Sequence, residues 1–152
     1  MNLDFEEQKK DFISKIENSR IGVLATSINN KVTVRSMSII NIDENILFQT
    51  DKRMEKYIQI TNNENVGLCI NNIQIEGKAV IKGKADKQDE FIKVFSKKHE
   101  SSYIAYSSME SEVVIEIRPM KVKMWEYIDN EPSIRIIDFS RKKAELNKFI
   151  KD

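Results

Sequence analysis

The stretch IGVLATSINNKVTVRSMSIINI, residues 21–42, decides the fold. Apolar and polar residues alternate with a period of two before and after Asn29-Asn30, and adjacent asparagines are typical of a tight turn. The stretch therefore predicts a β-hairpin. A second turn signal at residues 43–45 precedes the strand-forming segment Ile46–Thr50, so we expect a three-stranded meander.

Helices are predicted on both sides of this meander, where apolar residues recur every three or four positions. The predicted helices cover about residues 4–18, 54–61, 87–99 and 141–151. In the last of them, a C-terminal helix, Leu146, Phe149 and Ile150 would face the core.

Further strands are predicted over residues 66–70, 73–82, 113–117, 121–128 and 133–139. Pro119 has no backbone N–H to donate, so we expect a break or a sheet edge between the third and fourth of them. Six or seven strands, with helices only between and beside them, favour an antiparallel barrel or sandwich over a parallel sheet. The length fits a single domain spanning residues 1–152.

The composition excludes several classes of function. The 25 Lys and Arg nearly balance the 24 Asp and Glu, for a formal net charge of +1, so binding of nucleic acid by bulk charge is not expected. With one cysteine, Cys69, and one histidine, His99, neither a disulfide framework nor a metal site is expected. We expect Cys69 to be buried and His99 to lie at the surface. There is no signal-peptide pattern and no apolar run of membrane-spanning length, so we expect a cytoplasmic protein.

Three basic residues, Lys52, Arg53 and Lys56, lie where the third strand passes into a helix. Basic side chains and free N–H groups at a helix start can bind a phosphate, although a solvated basic surface accounts for the same run. Arg35, inside a strand, is explained by a ligand, a structural ion pair or exposure on the open face. Trp125, the one tryptophan, suits either the core or ring stacking on a ligand.

Arg35, Trp125 and the basic turn could also serve a small β-barrel that binds single-stranded nucleic acid. Such a surface needs several exposed aromatic rings on a basic groove. An aromatic content of 8% with a balanced charge supports this poorly.

Several motifs, taken in chain order, resemble one known family. They are Gly22-Val-Leu-Ala-Thr, Val32-Thr-Val-Arg-Ser-Met-Ser, Phe48-Gln-Thr50, Asp51-Lys52 with Lys56, and Glu76-Gly77. Their order after an N-terminal helix resembles the pyridoxamine 5′-phosphate oxidase-like FMN-binding split barrels. The resemblance implies a mainly β chain with flanking helices, an antiparallel six- to seven-stranded split barrel, and a homodimer with two FMN sites at the subunit interface.

The resemblance also implies which residues contact FMN. Arg35 and Lys56 correspond to residues that bind the flavin phosphate, with Lys52 near enough to assist. The other matching positions are Met37 and Ser38 beside the ring, Thr50 closing the third strand, Asn72 in the place of a glutamine, Trp125, and Arg135 of the oxidases' C-terminal motif.

Three departures from the oxidase pattern concern phosphate groups. Glu131 and Ser133 stand where the oxidases have an arginine and a histidine that hold the phosphate ester of the vitamin. Oxidation of pyridoxamine 5′-phosphate is therefore not expected. Glu55 stands in the place of a second basic residue beside Lys56. The chain is more similar to the general stress protein and nitroimidazole reductase-like branch.

The expected function is that of an FMN-dependent oxidoreductase that passes electrons from NADH or NADPH to an unidentified small acceptor. Protein groups would position and tune the flavin ring, and no side chain is required as an acid or base. The alternative is a module that binds flavin, haem or the deazaflavin F420 without turnover, for storage or stress sensing.

Overall fold

The computed structural model describes all 152 residues, which form four helices and ten strands. The helices are α1 (Phe5–Glu17), α2 (Glu55–Asn62), α3 (Asp89–Lys98) and α4 (Glu100–Tyr106), with a short 3-10 helix (Ala85–Lys87) before α3. The strands are β1 (Asn2–Leu3), β2 (Ile21–Ile28), β3 (Lys31–Ser38), β4 (Ile40–Ile42), β5 (Asn45–Asp51), β6 (Asn65–Ile70), β7 (Ile73–Lys84), β8 (Glu112–Ile128), β9 (Glu131–Asp138) and β10 (Lys143–Lys148).

The strands form one antiparallel sheet, in which eight follow the order β1-β10-β9-β8-β7-β6-β2-β3. β5 pairs with the first part of β8 and with β4. β3 and β5 are not paired with each other, so the sheet stays open between them. The antiparallel split fold expected from the sequence is confirmed, with ten strands in place of six or seven.

The β2–β3 hairpin turns at Asn29 and Asn30, as predicted. Both asparagines have a positive φ, 49° and 65°, which asparagine adopts more readily than most residues. The predicted three-stranded meander is confirmed only in part: β4 and β5 form a hairpin at the expected turn, but β5 does not pair with β3 and pairs with β8 instead. Ile39 and Ile40 are adjacent and both buried, so the alternation stops there and the chain leaves the edge of β3.

α1 confirms the predicted N-terminal helix and packs on β4, β9 and β10. Asp4 caps it, because its carboxylate accepts a hydrogen bond from the N–H of Glu7 at 2.8 Å. Phe12 and Ile16 are buried in the main core of 18 apolar residues. Burial of such side chains contributes about 1.5–3 kcal/mol each, so the apolar face fixes the helix on the sheet.

β8 is one strand of 17 residues, where two strands separated at Pro119 were expected. Residues 112–117 pair with β5 and residues 121–128 with β9, while β7 pairs with both parts. Pro119 lies opposite Gly77, where the β7–β8 register shifts. A Cβ at residue 77 would lie 2.7 Å from Cγ2 of Ile117, so this close approach requires glycine. The bulge accommodates the missing N–H of the proline without ending the strand.

The predicted C-terminal helix over residues 141–151 is wrong, since Lys143–Lys148 is the strand β10. β10 pairs with β9 over six residue pairs and with β1 on its other side. The sequence Ala144-Glu-Leu146 favours a helix locally. Backbone pairing on both sides and burial of Ala144 outweigh that weak preference.

α3 covers most of the helix predicted at residues 87–99, and α4 follows it directly. Phe91 and Phe95 stack with their ring centroids 4.7 Å apart and form the centre of a smaller core. His99, between the two helices, is buried, and its Nε2 lies 2.8 Å from the carbonyl oxygen of Ile39. The expected surface position of His99 is therefore wrong, because α4 turns back over it instead of leaving α3 as a free end.

Cys69 is exposed, so its expected burial is wrong. Strand alternation turns it outward on β6, opposite Val23 of β2 and Gln74 of β7. None of the helices combines the length and the apolar composition that a membrane span requires.

Candidate functional site

The residues expected to bind a phosphate meet where β5 passes into α2. Thr50 is the next-to-last residue of β5, and Lys56 lies in the first turn of α2. Lys56 and Gln59, three residues apart, form part of the buried face of this helix. Arg35 approaches from β3, the edge strand across the opening of the sheet.

Lys56 is a buried cation without an ion-pair partner. Its side chain is 8% exposed, and its Nζ donates to the hydroxyl of Thr50 at 3.3 Å. Burial, and next the neighbouring guanidinium of Arg35, lower the pKa of Lys56. The carboxyl of Glu112 acts in the opposite direction but forms no salt bridge with Lys56, and a buried ammonium group without such a pair is costly unless a ligand supplies negative charge.

Arg35 is the second cation of the site. Its guanidinium donates to the hydroxyls of Thr26, at 2.7 Å, and Thr33, and to the carbonyl oxygen of Leu24 at 3.4 Å. All three acceptors are neutral, and burial lowers the pKa of Arg35. Because Arg35 and Lys56 repel each other, an anion between them would be strongly stabilised.

The rest of the predicted basic run does not join these two cations. Arg53 pairs with Asp51, with 2.6 Å between Nη2 and Oδ2, and its hydrogen bonds hold the pKa of Asp51 well below its usual range. Lys52 is exposed, and its backbone N–H donates to the carbonyl oxygen of Ser111 at 2.9 Å. Only Lys56 of the run is buried.

The start of α2 adds backbone donors beside Lys56. No side chain caps this helix at Met54, so N–H groups of its first turn have no side-chain acceptor. These groups carry the positive end of the helix dipole, which favours a bound anion. Glu55 forms an exposed ion pair with Lys31 at 3.5 Å, and its negative charge also acts on Arg35 without a salt bridge between them.

A buried carboxyl group, Glu112, lies beside the site. It begins β8 opposite Asp51 of β5 and is 6% exposed. Burial, and next the negative charge of Asp51, raise the pKa of Glu112 to about 7, while Lys56 acts in the opposite direction. The raised pKa favours the neutral carboxyl of Glu112, which leaves the charge of Lys56 available to a ligand.

We expect Glu112→Gln to stabilise the protein at pH 8 and to have little effect near pH 4.5. Folding raises the pKa of Glu112, so the stability of the native carboxyl is lost as the pH rises from about 4.5 to about 7. The neutral amide avoids that loss, and we expect a gain on the order of 1–2 kcal/mol at pH 8 in urea unfolding. Glu110→Gln, at a side chain 95% exposed, is the control and should show no such difference. An equal effect of Glu112→Gln at both pH values would contradict the prediction.

Met37 and Ser38 continue β3 beyond Arg35. Strand alternation places Met37 on the face of Arg35, packed against the main core, and Ser38 on the other face opposite Ile21. Of these two residues, Met37 is the one that shares a side of the strand with Arg35.

Asn72 and Trp125 form a second group, away from the two cations. Nδ2 of Asn72 donates to the carbonyl oxygen of Trp125 at 3.0 Å. In the order of the sheet, three strands separate β8 from β3, and no hydrogen bond joins this group to Arg35 or Lys56.

Trp125 lies at the surface, 38% exposed, and not in the core. Its ring packs edge-on against Tyr127, at a centroid distance of 6.0 Å, and against Phe149 at 5.3 Å. The exposed ring remains free to contact a ligand or another chain.

Arg135 is held in ion pairs between β9, β8 and α1. Its Nη1 lies 3.1 Å from Oδ2 of Asp11, and its Nε lies 3.0 Å from Oε2 of Glu126. Nη1 also donates to Gln8 at 2.9 Å. The charge of Arg135 is thus already compensated within the chain.

The largest cavity, ≈ 690 Å³ in volume, is a groove on the outer side of the sheet. Its lining includes Ala25, Val32, Glu76 and Lys121, and of the residues bonded to Arg35 only Thr26 borders it. The cation site at the opening of the sheet is therefore separate from this groove.

Residues 5–126, most of the chain, match the family model for pyridoxamine 5′-phosphate oxidase. The chain belongs to the pyridoxamine 5′-phosphate oxidase family. No protein of curated function matches it.

Solved structures agree with this family on the fold. General Stress Protein 26 from Bacillus anthracis is 25% identical, with 84% of this chain and 97% of that chain covered and a TM-score of 0.65. A pyridoxamine 5′-phosphate oxidase-related, FMN binding protein from Nostoc punctiforme is 13% identical, with 96% and 95% covered and a TM-score of 0.67. A FAD-binding protein from Mesorhizobium loti is also 13% identical, with 74% and 90% covered and a TM-score of 0.60.

The sequence did not reveal every residue around the cations of this pyridoxamine 5′-phosphate oxidase family member. Gln59 had a signal in its spacing, because three positions after Lys56 it lies on the same side of the helix predicted over residues 54–61. Glu112 gave no signal, since only the pairing of β5 with β8 brings it opposite Asp51. The same holds for the two threonines on β2 and β3, whose hydroxyls matter only because Arg35 turns toward them.

Proposed function

We propose that this chain is an FMN-dependent oxidoreductase that passes electrons from NADH or NADPH to a small acceptor. The observation that carries the proposal is the pair of cations Arg35 and Lys56, which are close enough to repel each other and which donate hydrogen bonds only to neutral groups. A phosphate dianion would balance both charges.

The donors around the two cations suit the phosphate of FMN. Arg35 offers a planar guanidinium, Lys56 an ammonium group, Thr50 a hydroxyl, and the start of α2 its backbone N–H groups. Met37 would lie along the ring, since it follows Arg35 on the same face of β3. A bound flavin supplies the redox chemistry, and these residues hold and orient it. Similar structures described as FMN binding and FAD-binding support a flavin.

Titration of the flavin-free protein with FMN and with riboflavin tests the proposal. We expect FMN to bind at least about tenfold more tightly, because riboflavin lacks the phosphate. Equal affinities would refute the phosphate site, and no binding of either would refute a flavin. Oxidation of NADH or NADPH by the loaded protein with an acceptor dye then separates an enzyme from a module that binds a cofactor without turnover.

We also propose that the chain forms a homodimer through the outer face of β2 and β3. Val23, Val32 and Val34 point outward there and are 40%, 67% and 64% exposed. A contiguous apolar surface of this kind is typical of an interface. A second support is the three-strand separation of Trp125 from Arg35, because a flavin that contacts both would need two copies of the chain.

We expect the wild-type protein to sediment as a dimer at micromolar concentration and Val34→Glu to sediment as a monomer. A carboxylate on each copy would be buried without a partner in the interface. Val94→Glu, at an exposed valine of α3, is the matched control and should remain dimeric. A wild-type monomer in the presence of FMN, measured by analytical ultracentrifugation, would contradict the proposal.

A further inference from the structure

The guanidinium of Arg35 is held in place by a ring of hydrogen bonds. Its Nη1 donates to the hydroxyl of Thr26 and its Nη2 to the hydroxyl of Thr33. Both hydroxyls contact one atom, Oε1 of Gln59 on α2. Thr26 and Thr33 lie directly opposite each other in the β2–β3 register, so the ring joins two strands and a helix.

The chemistry of the groups fixes the direction of the bonds in this ring. A guanidinium has only donors, so each threonine hydroxyl accepts from Arg35 and is left with its own proton to donate. The acceptor that both hydroxyls share is Oε1 of Gln59. The amide of Gln59 therefore turns its oxygen toward the threonines and its Nε2 away from them.

Nε2 of Gln59 is buried and has no acceptor, and the whole side chain is only 1% exposed. Buried amide N–H groups are nearly always paired, so the contacts of Oε1 with the two threonines must hold the amide in an orientation that leaves Nε2 unpaired. Lys56 lies one helical turn away on the same buried face of α2.

We propose that Gln59 is the positioning residue of the phosphate site. Through Thr26 and Thr33 it holds the guanidinium of Arg35 in the orientation that meets the bound phosphate. This inference rests on the proposed function. It also explains why the residue is neutral, because a glutamate could accept from both hydroxyls equally well but would compensate the charge that Arg35 offers to the ligand.

Two substitutions of Gln59 test the proposal by equilibrium binding of FMN and riboflavin. We expect Gln59→Glu to weaken FMN binding about 10- to 100-fold and Gln59→Leu about 5- to 20-fold, with riboflavin changed less than about twofold. Lowering the pH should restore part of the FMN affinity of Gln59→Glu, because the new carboxyl becomes protonated, and none of the affinity of Gln59→Leu.

Asn63→Ala is the matched control at the other end of the same helix. Nδ2 of Asn63 lies 3.2 Å from the carbonyl oxygen and 3.0 Å from the hydroxyl of Ser27 on β2, and neither contact involves Arg35. Its loss should lower the thermal stability and leave the ratio of FMN to riboflavin affinity unchanged. If Gln59→Leu behaves in the same way, Gln59 is a structural residue and the proposal is overturned.

Inorganic phosphate separates a failure of this inference from a failure of the proposed function. If no flavin binds, but phosphate raises the Tm of the wild-type protein and raises that of Gln59→Leu less, the positioning role stands and the flavin proposal falls. If FMN is preferred over riboflavin equally by both proteins, the flavin proposal stands and the positioning role falls. If phosphate leaves the wild-type Tm unchanged and FMN is not preferred, both are overturned.

Discussion

Replacing Arg35 or Lys56 by alanine should weaken FMN binding by about 10- to 150-fold, equivalent to about 1.5–3 kcal/mol. Each substitution removes one charge-assisted hydrogen bond to the phosphate, whose charge is then balanced by the remaining cation alone. Quenching of flavin fluorescence on titration with the flavin-free variants gives the dissociation constants.

Riboflavin and Arg53→Ala are the controls for these two variants. Riboflavin has no phosphate, so its affinity should change less than about twofold. Arg53 lies in the same segment as Lys56, but its charge is already compensated by Asp51, so Arg53→Ala should leave FMN binding nearly unchanged. Equal losses for FMN and riboflavin would show that Arg35 and Lys56 act through folding or ring contacts instead of through the phosphate.

The FMN-loaded protein should oxidise pyridoxamine 5′-phosphate about 10²- to 10⁴-fold more slowly than an oxidase that has the arginine and histidine of the family motif. Glu131 and Ser133 stand in those places, and Ser133 is buried with its hydroxyl near the carbonyl oxygen of Glu131. Arg135 cannot substitute freely, because its guanidinium is paired with Asp11 and Glu126. A site with these side chains offers little to a phosphate ester, and the carboxylate of Glu131 repels it.

Hydrogen peroxide formation from pyridoxamine 5′-phosphate measures this rate. Reduction of an acceptor dye by NADH or NADPH in the same preparation should show that the flavin is competent. Rapid peroxide formation would contradict the prediction and restore the oxidase function. Arg141, an exposed arginine shortly after β9, would then be the first residue to replace.

The local pattern of apolar and polar residues predicted most of the fold. It failed where pairing with strands distant in sequence determines the secondary structure. The alternation around Asn29-Asn30 and the apolar face of α1 are properties of neighbouring residues, so both were predicted correctly. Residues 143–148 were predicted as helix because only the edges of β9 and β1 make them a strand. Pro119 was expected to end a strand because the compensating Gly77 lies 42 positions earlier in the chain.

The same distinction applies to the candidate site, where some contacts follow from local spacing and others only from the folded chain. The closeness of Lys56 to Thr50 follows from their spacing across one strand–helix junction. Arg35 was singled out as a charge inside a strand, yet its neutral partners could be identified only from the folded hairpin. Asn72 and Trp125 would lie near these residues only through the proposed second copy of the chain. A contact between two copies cannot be predicted from a pattern within one sequence.

The two halves of the sheet are joined by one uninterrupted strand, β8. Its first part completes the β5 side, which leads into α2, and its last part completes the β9 and β10 side, which carries the chain ends. Both parts of β8 also pair with β7, so opening of either half disturbs the same two strands, and β8 couples the halves into one cooperative unit. We therefore expect the slowest hydrogen exchange in β8. We also expect a change at the aromatic surface around Trp125 to alter the phosphate site.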